Sequence, residues 1–139
     1  MARDIASMRS ALTTHLEAIA SLAGVVRGRS GEHTGFPFAR YFLSGIGNSL
    51  LSNFPDQKRV FQFTIEVVQE ITNEDKASAE AHLEDAIEDV LDKLGTQWLL
   101  GNSVHNSEVT TGQMVEIDLH SGPAVMLPIL FECTVLVQG

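Results

Sequence analysis

The sequence predicts an α/β protein of the α+β type, in which two helices pack on one face of a mostly antiparallel sheet of four to five strands. Two segments, 4–23 and 74–94, repeat apolar residues at three- and four-residue spacing, as amphipathic helices do. The segment 59–71 instead alternates apolar and polar side chains, which is typical of a strand whose sheet is covered on one side. With 139 residues and 44% hydrophobic content, the chain fits a single domain, residues 1–139.

The first predicted helix, 4–23, is followed by short extended segments. Its apolar stripe consists of Ile5, Met8, Leu12, Leu16, Ile19 and Leu22. Gly24 tolerates left-handed backbone geometry and is predicted to end the helix. A short β-prone piece at 25–27 and an extended aromatic segment at 36–43 come next, with Pro37 suited to a strand entrance or a sheet edge.

The second predicted helix, 74–94, follows the strand at 59–71. On that strand Phe61, Phe63, Ile65, Val67 and Ile71 share one face. Residues 72–75 resemble a capping box, and Lys93 with Gly95 is a helix-ending signal. The buried stripe of the helix is predicted to be Leu83, Ile87, Val90, Leu91 and Leu94.

Two strands are predicted to close the chain, after a short apolar turn at 96–101. One strand has Val109, Val115, Ile117 and Leu119 on a single face, and the other alternates apolar side chains over 127–137. Because Gly122 and Pro123 lie between the two strands, an antiparallel hairpin with its turn at this dipeptide is predicted.

The stretch 44–58, SGIGNSLLSNFPDQK, is predicted to be a connection between two strands. Its Gly45 and Gly47 resemble the start of a nucleotide loop, but no helix or third glycine follows and no Gly-Lys-Ser/Thr occurs in the chain. Long connections in compact domains are often functional. Leu50, Leu51 and Phe54 are therefore predicted either to form an interface arm, buried on assembly, or to tuck into the subunit's own core.

The chemistry-bearing residues do not form a catalytic or cofactor constellation. The single cysteine, Cys133, lies in an apolar run and is predicted to be a buried hydrophobe. The five histidines lack the i, i+4 spacing of a helical metal site, and no Gly-x-Ser-x-Gly is present. The most apolar run, 124–137, is broken by Pro128 and Glu132 and is shorter than the ~20 residues of a membrane helix. We therefore expect no enzyme activity, cofactor, metal or membrane span.

The net charge of −9 is unevenly distributed. Residues 1–59 hold seven basic and four acidic side chains, whereas residues 60–139 hold two basic and fourteen acidic ones. Nucleic-acid binding needs clustered Lys and Arg, so tight DNA or RNA binding is not expected. A polarised subunit of this kind can attract copies of itself head to tail, and the alternative is simply an acidic, solvated surface.

The second helix carries an acidic stripe. Glu84, Glu88 and Asp92 recur every four residues, with Asp85 and Asp89 beside them. Like charges at this spacing destabilise a helix slightly. The stripe is either a solvated outer face or a negative surface that repels a polyanion, so that DNA could slide through a channel lined by it.

The order of five segments resembles the tail terminator (tail-completion) proteins of long-tailed bacteriophages. The segments are FPFARYFLSG, KRVFQFTIEVVQE, ASAEAHLEDAIEDVLDKLG, TQWLLGNSV and LPILFECTVLVQG. The likeness covers nearly the whole chain and rests on element order, length and texture. It implies a ring, usually a hexamer, that sits on the last tail-tube ring, stops tube growth and joins the filled head, while DNA passes through its lumen.

The implied partners are further copies of the chain, the tail tube protein and a head–tail connector or neck protein. The implied location is the tail or neck of a virion assembled in the host cytoplasm, and the resemblance supplies no catalytic residues. Two alternatives stay open: a neck or head-completion protein of the same joint, and a small ligand-binding α/β domain or enzyme.

Overall fold

The computed structural model describes residues 4–28, 35–50, 57–96 and 106–137. Its elements are α1 (Asp4–Glu17), β1 (Gly24–Arg27), β2 (Phe38–Leu50), β3 (Gln57–Glu70), α2 (Lys76–Thr96), β4 (Asn106–Thr111), β5 (Val115–Leu119) and β6 (Gly122–Val137). The six strands form one sheet in the order β1-β2-β3-β6-β4, and β5 also pairs with β6. Only the β1–β2 pair is parallel among these strands. The predicted α+β class is confirmed, and the described residues form six strands rather than four or five.

Both helices pack on the same face of the sheet, as predicted. Met8, Leu12 and Leu16 of α1 are fully buried, and so are Leu83 and Val90 of α2. These side chains join one core cluster with the sheet residues on the helix side. Burying apolar stripes of this kind is the main driving force of such a two-layer fold.

β3 is the centre of the sheet, since β2 pairs along one side of it and β6 along the other. Phe61, Phe63, Ile65 and Val67 are each at most 1% exposed and lie in the helix-side core. The period-two prediction for this strand is therefore confirmed.

α1 ends at Glu17, six positions before the predicted end. After Glu17 the chain tightens: the Ile19 amide donates to the Leu16 carbonyl (3.1 Å) and the Leu22 amide to the Ile19 carbonyl (3.2 Å). Such i→i−3 bonds are typical of a closing 3₁₀ turn. Gly24 is the first residue of β1 rather than a helix cap, so that prediction was wrong.

The stretch 44–58 is mostly strand, which corrects the predicted connection. β2 continues to Leu50 and β3 begins at Gln57, and these two residues pair with each other. A register shift between Leu43 and Gly45 marks a β-bulge at the start of this part of the hairpin. The glycines did not end the strand because the facing residues of β3 supply a continuous ladder of partners.

α2 begins at Lys76 and ends at Thr96, so both predicted ends were displaced by two residues. The Asp75 carboxylate accepts a hydrogen bond from the Ser78 amide (3.0 Å), which makes Asp75 the N-cap. Gly95 lies inside the last turn instead of after it. Most of the predicted apolar turn at 96–101 lies outside the described residues.

The closing region holds three strands rather than two. The predicted strand around Val109–Leu119 is broken at 112–114 into β4 and β5, both of which pair with β6. Val109 opposes Phe131 on the helix side, whereas Val115 opposes Met126 on the other face, so the predicted shared parity was wrong. The tight turn lies at His120 and Ser121, and Gly122 with Pro123 begins β6.

Candidate assembly surfaces

The sheet face opposite the helices carries a buried ion pair. Arg40 and Glu66 are direct cross-strand partners, and the Arg40 Nε donates to a Glu66 carboxylate oxygen at 2.6 Å. The Glu66 side chain is 6% exposed and that of Arg40 18%. Pro128 opposes Glu66 from β6. A charged pair is thus built into the middle of a face that the helices do not cover.

One end of this second face is apolar. Val26, Phe38, Val68 and Ala124 are buried there and form a cluster of their own. Phe36, Ile117, Leu119 and Met126 pack against the cluster and stay partly exposed. The alternation along 59–71 predicted that this side of β3 is polar. The cluster arises because β1, β2 and β6 bring apolar residues next to Val68.

Of the predicted interface residues of 44–58, only Leu50 lies within the described residues. Leu50 is the last residue of β2, while Leu51 and Phe54 lie outside the described residues. Ile46 lies on this part of β2 and is 53% exposed. At Gly45 an added Cβ would meet the Gln62 Oε1 at 2.7 Å, so the Gln62 side chain lies over the glycine backbone. The hairpin therefore carries at least one exposed large apolar side chain.

The acidic stripe of α2 is exposed. Glu84, Glu88 and Asp92 all lie on the outer side of the helix, as do Asp85 and Asp89. The stripe does not face a single groove. Glu84, Asp85 and Glu88 border a groove whose apolar part is Ile87, Met114 and Leu127, whereas Asp89 and Asp92 border another with Ala18, Ile19, Ala20 and Lys93.

A basic groove lies at the other edge of the sheet, and sequence reasoning did not single it out. Arg9 from α1 and Arg27 from β1 line it together with Ser10, Thr14 and Tyr41. The hydroxyls of Thr13 and Tyr41 are hydrogen-bonded, which ties α1 to β2 beneath this groove. The two arginines are far apart in sequence, so only the packing of α1 against the β1 edge reveals the cluster.

Among the described residues, Cys133 and His15 have a shifted pKa. Cys133 is fully buried, and burial raises the pKa of its thiol to about 12. This confirms its predicted role as a small buried hydrophobe. Burial lowers the pKa of His15, and the nearby Lys93 ammonium lowers it further.

Within the described ranges, no three His, Cys, Asp or Glu side chains come together as metal ligands would. Of the helices in the same ranges, none combines the length and the apolar character needed to cross a membrane.

No protein-family model matches this chain, and no curated protein matches it in sequence. Its fold is similar to that of a chain in the virion of a native gene transfer agent particle. The TM-score is 0.59 at 12% identity, and the match covers 98% of this chain and 99% of that one. The two chains therefore share a fold along nearly their whole lengths.

Proposed function

We propose that this chain is a structural subunit of a phage-type virion, and more narrowly the tail terminator whose ring caps the tail tube. The observation that carries the proposal is the fold shared, end to end, with a chain of a gene transfer agent virion. A full-length match at 12% identity is a likeness of fold, and function follows from fold only by analogy. The segment order that resembles tail terminators supports the narrower role independently of that match.

The surfaces of the subunit suit assembly. The β2–β3 hairpin presents Ile46 to solvent, so it can place an apolar side chain on a neighbouring subunit or on the tube. We propose that Leu50, Leu51 and Phe54 form this contact. Exposed apolar groups of this kind are stabilised when a partner removes them from water.

In such a ring the acidic face of α2 has two places to lie, the lumen or the contact between subunits. Carboxylates in the lumen would keep DNA from binding during its passage, because phosphate binds to Lys and Arg. We propose that Asp92 faces the lumen, because it borders a different groove from Glu84 and Glu88.

The test of the terminator role is tube-length control. The chain is co-expressed with the tail tube protein of its own virus, and tubes are imaged by negative-stain electron microscopy with and without the chain. A terminator gives capped tubes of uniform length, and its omission gives overlong tubes that do not join heads. Tubes of normal length that fail to join heads without the chain would assign it to the head side of the joint. Tubes whose length and head joining are the same with and without the chain would refute both roles.

The hairpin contact has its own test. If these three side chains serve the contact, replacing Leu50, Leu51 and Phe54 together with serine should abolish capping. The melting temperature of the isolated subunit should stay within about 2 °C of wild type, since substitutions outside the core contribute little to stability. A polar control, Ser49→Ala with Ser52→Ala, should cap normally. A large fall in melting temperature for the triple variant would show that these side chains belong to the subunit's own core.

A further inference from the structure

Two grooves of opposite charge lie at opposite edges of the sheet. The basic groove, defined by Arg9 and Arg27, borders β1, the strand at one end of the sheet order. The acidic groove, defined by Glu84, Asp85 and Glu88, includes Met114, which lies between β4 and β5 at the other end. A pair of unlike, complementary surfaces on one subunit is the requirement for a head-to-tail contact.

Both grooves open on the helix side of the sheet. Arg27 pairs with Tyr41, whose ring lies in the helix-side core and whose hydroxyl bonds to Thr13 of α1. α2 packs over β3 and β6 on the same side. If two copies are placed side by side with their helix-covered faces on the same side, the edge that carries the basic groove of one copy faces the edge that carries the acidic groove of the next.

The acidic groove combines carboxylates with apolar surface, and an arginine side chain can bind to both. Its three carboxylates are exposed, and the described residues contain no ion-pair partner for them. Met114 and Leu127 are partly exposed beside them, next to the nearly buried Ile87. The guanidinium of an arginine side chain can pair with carboxylates while the aliphatic stem of the same side chain covers apolar surface. The compact ammonium group of lysine is less suited to paired carboxylates.

The basic groove supplies the matching groups. Arg9 is partly exposed and Arg27 exposed, and neither has an ion-pair partner among the described residues. Among the described residues that line this groove, Glu17 carries the single carboxylate, against the two guanidinium groups. Charge-assisted hydrogen bonds from Arg to carboxylate are among the stronger polar contacts in interfaces.

We propose that the acidic groove of each copy binds Arg9 and Arg27 of the next copy. The proposal rests on the terminator function and identifies the contact that closes its ring. It assigns Glu84 and Glu88 to the subunit contact and leaves Asp92 facing the lumen. Because the two surfaces differ, the contact repeats around a ring instead of forming a closed two-fold dimer.

Charge reversal tests the contact with full-length chains. The variant Arg9→Glu/Arg27→Glu and the variant Glu84→Arg/Glu88→Arg should each lose ring formation at least ten-fold, measured by sedimentation at low salt and by capping of tail tubes. In each variant alone, like charges face each other at every contact. An equimolar mixture should restore rings, because alternating copies place unlike charges at every contact. Combining all four changes in one chain should restore rings as well.

Matched controls separate this contact from a general effect of net charge. Glu74→Arg/Glu108→Arg makes the same charge change as Glu84→Arg/Glu88→Arg at exposed positions outside both grooves. Lys76→Glu reverses one exposed basic residue outside them, which is half the charge change of Arg9→Glu/Arg27→Glu. These variants should form rings like wild type, and circular dichroism should show that every variant is folded.

The outcomes are distinguishable from those of the terminator test. Single-sided variants that form rings and cap tubes as wild type does would overturn the contact while the terminator role stands. A mixture that fails to restore rings would overturn the contact in the same way. If the reversal and rescue pattern holds but wild type caps no tube, the contact stands and the terminator role fails. A wild-type chain that forms no ring, alone or on tubes, overturns the contact.

Discussion

We predict that the ion pair between Arg40 and Glu66 contributes measurably to the free energy of unfolding. Replacing Arg40 with methionine keeps most of the side chain's length but leaves the Glu66 carboxylate, 6% exposed, without the guanidinium that donates to it at 2.6 Å. Breaking a buried pair by removing one partner costs about 3–5 kcal/mol, since the other charge stays desolvated. Arg40 is 18% exposed, so water can partly replace it, and the expected loss is about 2–3 kcal/mol.

The single variant at Glu66 and the double variant complete a double-mutant cycle with Arg40→Met, and both should be more stable than Arg40→Met. Glu66→Met removes the charge and the acceptor of the Arg40 Nε, but Arg40 is 18% exposed and can turn toward water, so its cost should be about 1 kcal/mol. The double variant Arg40→Met/Glu66→Met removes both charges. Replacing a buried pair by apolar residues is often neutral or stabilising, so the double variant should be more stable than Arg40→Met alone.

Urea denaturation followed by circular dichroism measures these differences, with the exposed Arg27→Met as control. For a chain of this size, a loss of about 2–3 kcal/mol corresponds to a fall in Tm of about 6–12 °C. A loss below about 0.5 kcal/mol for Arg40→Met, the range of ordinary surface substitutions, would refute the claim that the pair is effectively buried. A double variant as unstable as the sum of the two single variants would refute the coupling between them.

Three further predictions concern the core and the titratable groups. Leu83→Ala, at a fully buried position of α2, should cost about 3 kcal/mol in urea denaturation, whereas the exposed His82→Ala should cost under about 0.5 kcal/mol. A small loss at Leu83 would contradict its place in the core. The Cys133 thiol, with a pKa of about 12, should resist a thiol reagent at about pH 8 in the folded chain and react once urea unfolds it. Full labelling without denaturant would contradict its burial. The lowered pKa of His15 means that the unfolded chain binds the proton more readily, so the stabilisation is complete above about pH 6.5 and is lost as the pH falls through the folded-state pKa. His15→Gln should flatten the stability profile between about pH 5 and 7 relative to wild type, with His82→Gln as control, and an unchanged slope would contradict the assignment.

The local sequence pattern was sufficient to predict burial where a residue's environment follows from its near neighbours in sequence. The alternation along β3 and the apolar stripe of α2 predicted which side chains are buried, because each element repeats its own geometry. Element ends were less predictable. Glu17 ends α1 because the next residues close tight turns into β1, and that turn depends on the Ala23 amide reaching the Pro37 carbonyl (2.7 Å) across the fold.

The surfaces could be predicted only in part. Exposure of Glu84, Glu88 and Asp92 followed from helical spacing, but their division between two grooves depends on which neighbours the helix meets. The basic excess of residues 1–59 did not show where on the surface the basic groove lies. Arg9 and Arg27 belong to different elements, and only the docking of α1 at the β1 edge brings them together.

By itself, the sequence determined the class of the fold: two amphipathic helices, a central alternating strand and a buried Cys133. The tertiary structure decided which strand residues oppose each other. Register with β3 keeps β2 extended through Gly45 and Gly47 and sets Arg40 against Glu66, and the break before β5 turns Val115 to the second face. The physical reason is that helical and strand periods are properties of a short segment, whereas register is set by hydrogen bonds and packing between segments distant in sequence.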